Sequence, residues 1–410
     1  MKIGSRPAPV TKGKRPWMTE LCERIVTRCL KVSHEPLPTS LPAVPRRLLV
    51  VKVFGMGDSV LIRSLIEHLV TRNAGLEIGV LVGPATRELL TLGTNFWVHQ
   101  YRQHQLTPRT ALALLGEIRR RHYDAMLNFE QGSTAGSAFL AASGIPLRVG
   151  FLPTVESPKA RFLTHAQRFR EGRSMWQSFV HLAQMIDAGL SDSVRPVPLK
   201  CGAAAEAWAR EWLHRHVRRQ PAVALHLGSQ DLEFRRWPLD RFVQFAERLR
   251  SLALEPSIVL TGTAPERALI GAFIDKYSGH AVDASDSGSL ANTAALLQRC
   301  NLLVSNDTGI MHLAAAMGTP TVGLFGPNSP HYWGPIGSRA TYVYETKVAC
   351  SPCLNLYANR WPLDCANPVK SRCMLDIEVD SVLNAARRVI TSPWLGSAHA
   401  ADGREVPGLH

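Results

Sequence analysis

Short aliphatic runs and stretches of helical spacing alternate from Arg47 to Ile390. Arg47–Val53 (RLLVVKV) reads as a buried strand, Phe54-Gly55-Met56-Gly57-Asp58 as a glycine turn, and Ser59–Val70 as a helix. Strand-type runs recur at Leu76–Val82, Phe96–Tyr101, Asp124–Phe129 and Leu147–Phe151. Between them fall predicted helices at Ala85–Leu92 and Arg109–His122, and a small-residue helix opened by Gln131-Gly132-Ser133. A helix over Trp176–Ala188 precedes the proline-containing link Ser191–Lys200. The alternation then restarts. It runs through helix Ala203–Arg218, strand Ala222–Leu227, a helix from Trp237-Pro238 to Arg250, strand Ser257–Thr261 and helix Ser289–Arg299. Strand Leu302–Val304, helix Ile310–Met317, strand Thr321–Phe325 and a last helix Asp376–Ile390 complete it. Such alternation predicts the α/β class, with parallel sheets covered by helices.

This divides the chain into a basic N-terminal tail (1–46), two α/β halves (47–198 and 199–392) and a flexible tail (393–410). Inside the first tail, Trp17, Leu21, Ile25 and Cys29 share one side of a short amphipathic helix. That helix could pack on its own protein or lie on a membrane surface.

The stretch LLVSNDTGIMHLAAAMGTPTVGLFGPNSPHYWGP, Leu302–Pro335, concentrates the candidate chemistry. Strand, polar turn, helix and strand make a βαβ unit, whose turn lies at the carboxyl end of the strand, where open α/β sheets bind ligands. The helix begins there with free N–H groups and a partial positive charge, which suits a phosphate. Asp307 or Thr308 could also simply cap that helix. In the first half, Gly55-x-Gly57 alone is a weak sign. A dinucleotide fingerprint needs a third glycine where Val60 stands, which speaks against an oxidoreductase. Asp58 again has a capping alternative.

SNDTGIMHLAAAMGTPTVGLFGP resembles the signature of glycosyltransferase family 9, the ADP-heptose:lipopolysaccharide heptosyltransferases. The likeness extends over roughly residues 47–392 and implies a GT-B architecture, two Rossmann-like domains facing across a cleft. It implies that Asp307, Thr308, Gly309 and His312 hold the sugar nucleotide. Gly57-Asp58 matches the family's glycine loop, with Asp58 as catalytic base, and Gly55, Gly57 and Gln131 fall on the acceptor side. Arg235, two positions before Trp237-Pro238, takes the place of a phosphate-binding basic residue; Arg236 could share the role, or both arginines could be solvated. Ser229, after the first strand of the second half, joins the donor set, and Glu266 is the candidate ribose contact, although an acid at a helix start is favourable without a ligand.

The implied reaction moves heptose from ADP-heptose to a lipopolysaccharide core acceptor, with inversion. Another nucleotide sugar or a protein hydroxyl are competing substrates, and a non-catalytic basic module for anionic lipid or nucleic acid is the reading of a different class. The net charge of +14 is scattered, without an aromatic–basic nucleic-acid motif, so nucleic acid ranks below an anionic membrane or acceptor. Lys159, Arg161, Arg168, Arg170 and Arg173 make 152–175 either a solvated loop or an acceptor-phosphate site. The N-terminus lacks the apolar core of a secretory signal and no apolar run approaches a membrane span, so a cytoplasmic protein is expected, peripheral at the inner membrane. Cys350, Cys353, Cys365 and Cys373 form C-x2-C-x11-C-x7-C, which could wrap a structural zinc or iron ion or remain reduced thiols; the resemblance implies iron in protein-heptosylating relatives. No cofactor is expected for catalysis itself.

Overall fold

The computed structural model describes residues 44–102, 107–152, 157–169, 172–229, 232–345, 347–355 and 362–390. The helix predicted around Trp17 and the 393–410 tail lie outside them. The first half forms strands β1 (Arg47–Lys52), β2 (Glu77–Val82), β3 (Trp97–Gln100), β4 (Ala125–Asn128), β5 (Leu147–Leu152) and β6 (His165–Arg168). They make one parallel sheet in the order β3-β2-β1-β4-β5-β6. The second half repeats the pattern with β7 (Ala222–His226), β8 (Ser257–Thr261), β9 (Ala281–Asp283), β10 (Leu302–Asn306), β11 (Thr321–Phe325) and β12 (Ala340–Tyr344). Its order, β12-β11-β10-β7-β8-β9, is the same doubly wound arrangement counted from β7.

Central strands are buried on both faces, which is why they read as continuous aliphatic runs rather than alternating ones. Helices α1 (Met56–Arg72), α2 (Pro84–Leu90), α3 (Pro108–Arg120), α4 (Thr134–Ala141) and α5 (Met175–Gln184) flank the first sheet. Helices α6 (Ala203–His216), α7 (Leu239–Leu249), α8 (Arg267–Lys276), α9 (Leu290–Gln298) and α10 (Gly309–Ala316) flank the second, followed by α11 (Pro330–Trp333), α12 (Arg372–Leu375) and α13 (Val379–Val389). No described helix is long and apolar enough to cross a membrane.

Two features correct the sequence reading. The basic segment after β5 is not simply a loop: it contains β6, and Lys159 within it is fully buried rather than solvated. Helix α1 starts at Met56, three residues earlier than predicted, because Gly55 takes φ +88° and turns the chain directly into the helix.

The lobes meet through apolar residues. Val60, Leu89 and Leu92 of the first share one apolar cluster with Ala294, Ile310, Leu313 and Ala314 of the second. The Leu290 N–H, at the start of α9, donates to Glu88 Oε2 of α2 at 2.7 Å. At the contact of α1 with α10, a Cβ on Gly57 would lie 2.7 Å from His312 Cδ2, and one on Gly309 about as close to the Met56 side chain, 2.7 Å from its Cε. Both positions therefore need glycine.

Candidate active site

In a doubly wound sheet the strand order reverses at one point, and ligands bind beyond the carboxyl ends there. In the first sheet that point lies between β1 and β4, and in the second between β7 and β10. The residues that follow these four strands are Val53–Asp58, Phe129–Gln131, Leu227–Ser229 and Asp307–Gly309, so topology gathers Asp58, the acceptor-side candidates and part of the donor set without reference to their chemistry, while Arg235, Arg236, Glu266 and His312 come from other stretches.

On the first lobe, Glu130 Oε1 accepts from Val53 N at 2.6 Å and Phe54 N at 3.0 Å, which pins the chain just before Gly55. Asp58 stands in the first turn of α1, buried, while the N-cap is Gly55. The capping alternative for Asp58 therefore does not hold, although a carboxylate in the first turn still suits the helix dipole. Its Oδ2 is 2.6 Å from Lys52 Nζ. Gln131 lies beside this loop with its amide nitrogen buried and without a hydrogen-bond partner.

On the second lobe, Thr308 is the N-cap of α10, yet no side chain caps that helix: the Thr308 hydroxyl pairs with Ser305 Oγ at 3.2 Å. Asp307 does not cap either. Its Oδ2 accepts from Arg235 Nη2 and from Asn328 Nδ2, both at 2.8 Å, and Arg235 Nη2 also reaches the Asp307 carbonyl at 2.6 Å. Arg235 is thus held beside the start of α10, and its Nε is buried without a hydrogen-bond partner among the described residues. Arg236 points elsewhere, to Glu233 Oε1 at 3.5 Å.

Asn306 locks the site from beneath. Its amide donates to the carbonyls of Leu227 and Gly228, and its Oδ1 accepts from Trp237 N. Ser229 is buried and donates to Leu232 O at 2.7 Å. Glu266 Oε2 accepts from both Thr263 N and Thr263 Oγ1 at 2.8 Å, the capping alternative. Its Oε1 meanwhile hangs over Gly228, where a Cβ would sit 1.5 Å away, so the carboxylate does reach the end of β7.

His312 joins the two halves. Burial pushes its imidazole below the ordinary value, against the opposing pull of Asp307 and Asp58, so the ring is neutral near pH 7. Its Nδ1 is buried without a hydrogen-bond partner. Gly57, next to Asp58, lies against the His312 ring, which brings the turn that carries Asp58 up to the first turns of α10.

The four clustered thiols crowd one another: burial, then Cys353, Cys365 and Cys350, push the Cys373 thiol up to about 12. Among the described residues no group of three or more His, Cys, Asp or Glu side chains is arranged to hold a metal ion. Lys52, Glu130, Asn306 and Asn328 were missed in the sequence. Only Lys52, a lone charge within an aliphatic strand, carried a visible signal.

Two Rossmann-ordered lobes whose switch points face each other define the GT-B class of fold. The model of glycosyltransferase family 9 (heptosyltransferase) matches residues 111–359, and the chain belongs to that family. It is 27% identical to lipooligosaccharide heptosyltransferase 2 of Haemophilus influenzae over 128 residues, 30% of this chain and 36% of that protein. The chain thus matches about a third of the length of such curated relatives. Among solved structures, ADP-heptose LPS heptosyltransferase II of E. coli aligns with a TM-score of 0.66 at 19% identity, over 84% of this chain and 98% of that one. A glycosyl transferase of family 9 from Veillonella parvula aligns with a TM-score of 0.69 at 19% identity, over 86% and 99%.

Proposed function

We propose that the protein is an inverting glycosyltransferase that moves heptose from ADP-heptose to a lipopolysaccharide core acceptor, with Asp58 as general base. The supporting observation is that Gly57, next to Asp58, lies against the His312 ring of α10, the helix that begins beside the Arg235–Asp307 pair at Thr308. In the proposed step the acceptor hydroxyl oxygen bonds to the anomeric carbon while the bond from that carbon to the diphosphate oxygen breaks. The hydroxyl proton passes to Asp58 and the electron pair leaves on ADP. Attack opposite the leaving group inverts the centre.

Charge developing on the diphosphate would meet the uncapped N–H groups of α10 at Gly309 and the Arg235 guanidinium. These positive groups take the place of a divalent cation in this scheme. His312, neutral, would donate to a phosphate oxygen of the donor or exchange a hydrogen bond with one of its sugar hydroxyls. Glu266 Oε1 and Ser229 border the same strand ends, while Gly55, Gly57 and Gln131 would border the acceptor. An anionic lipid-linked acceptor fits the +14 charge and a peripheral position at the cytoplasmic face of the inner membrane.

The test is transfer from ADP-heptose to heptose-deficient lipopolysaccharide, followed by mass spectrometry, with wild type and Asp58→Asn side by side. The substitution is expected to lower turnover by about 10²–10⁴-fold while ADP affinity stays within about twofold. Wild-type turnover in Asp58→Asn would remove Asp58 from the mechanism.

A further inference from the structure

The ion pair beneath the base is costly in a way the fold alone does not require. Lys52 is the only charged residue of β1 after Arg47, it is 3% exposed, and its Nζ lies 2.6 Å from Asp58 Oδ2 and 3.4 Å from the Phe129 carbonyl. A second lysine is buried nearby: Lys159, fully enclosed, donates to the backbone carbonyl of Glu130. Glu130 in turn holds the amides of Val53 and Phe54 with its carboxylate. Two buried ammonium groups close together oppose each other, and a buried ion pair can be replaced by apolar side chains of similar volume at little or no cost to stability. Packing therefore does not explain Lys52.

Its geometry does. Asp58 has two carboxylate oxygens in the first turn of α1. The Lys52 contact engages Oδ2, while Oδ1 makes no hydrogen bond with any described residue. We propose that Lys52 is a positioning residue for proton transfer, tethering Asp58 Oδ2 so that Oδ1 is presented to the acceptor hydroxyl. This rests on the reading of Asp58 as the base. Through it, Lys52 acts on the orientation of the carboxylate and touches no substrate. The Glu130–Lys159 contacts fix the backbone between the strand that carries Lys52 and the helix that carries Asp58.

A double-mutant cycle separates this from a structural role. Transfer from ADP-heptose to heptose-deficient lipopolysaccharide is measured for wild type, Lys52→Met, Asp58→Asn and the double variant. ADP titration counts the folded, binding-competent sites in each. Lys52→Met is expected to lower kcat per ADP-binding site by about 10²-fold with KM for the donor within about twofold, since a 1 Å misplacement costs about that much. In the Asp58→Asn background the same change should cost less than about twofold, because there is no base left to orient. Lys52→Arg, which keeps a charged donor, should recover part of the loss. If Lys52→Met does not melt cooperatively, Lys52→Gln replaces it with the same expected outcomes.

An equal loss in both backgrounds, or none in either, overturns the proposal for Lys52 and leaves Asp58 in place. Normal turnover in Asp58→Asn overturns the assignment of the base instead, and no turnover by wild type overturns both.

Discussion

Lys159 shows how a side chain can be read wrongly from its neighbours in sequence. It lies among arginines, in a segment that looks solvated, yet it is enclosed beneath the acceptor-side loop. Burial, with Lys52 close by, pushes its ammonium down to about 7, and Glu130 opposes this only in part. The consequence for stability has a definite sign. Between about 7 and the ordinary value of 10.5 the unfolded chain keeps a proton that the folded chain has released. Folding stability from this group therefore rises with pH across that window and is lost on acidification through it. Below about 7 both states are protonated and the contribution is flat. Chemical denaturation of wild type and Lys159→Met should show their stability difference moving in favour of wild type as pH rises through the window. A difference independent of pH would mean that the ammonium is solvated. Lysine gives this information only through its surroundings, which is why neither Lys159 nor the Glu130 clamp was legible in the sequence.

At the scale of elements, the contact of α1 with α10 carries the geometry of the site. Helix α10 is composed of glycine, alanine and a few larger residues, all of them buried, and its first turn lies against the first turn of α1. Gly57→Ala would put a methyl group 2.7 Å from the His312 ring, which is itself enclosed and comes from the other lobe. Overpacking of this kind costs about 1–3 kcal/mol, and here relief requires the lobes to move apart. The variant should therefore melt earlier and transfer more slowly even though it changes no polar group; an unchanged melting temperature and rate would show that the helices do not meet this closely in solution. Such elements were legible because fully buried parallel strands and helices with small residues leave plain patterns. The strands that were missed, β6, β9 and β12, are all sheet edges. Their sequences, HAQR, AVD and ATYVY, are short or half exposed, so they lack the aliphatic run that marked the central strands. The motif residues and Arg235 were visible, but the contacts of Asp307 were not, because Arg235 and Asn328 reach it across 72 and 21 positions of chain.

For the whole molecule, two sheets of identical order give two switch points, and this divides the proposed work. Arg235, Glu266, Asp307, Thr308 and His312, the proposed donor residues, all come from the second lobe, so in this scheme a donor nucleotide would bind without the acceptor. Asp58, the proposed base, comes from the first, so the proposed chemistry would need both. Donor binding should then be visible as stabilisation of the whole protein without any acceptor. A ligand at a hundred times its Kd adds about 2.7 kcal/mol to the folded state, enough to raise the melting temperature measurably. ADP is expected to do this, and GDP and UDP are not, if the donor is an ADP-sugar. An Arg235→Ala variant should lose the response while keeping its own fold, since the arginine's known partners are the polar atoms of Asp307 rather than the core. An equal response to all three nucleotides would leave a diphosphate site without a base preference and reopen the choice of donor. No response to any of them would take the donor away from the second lobe, and with it the division of labour between the two sheets.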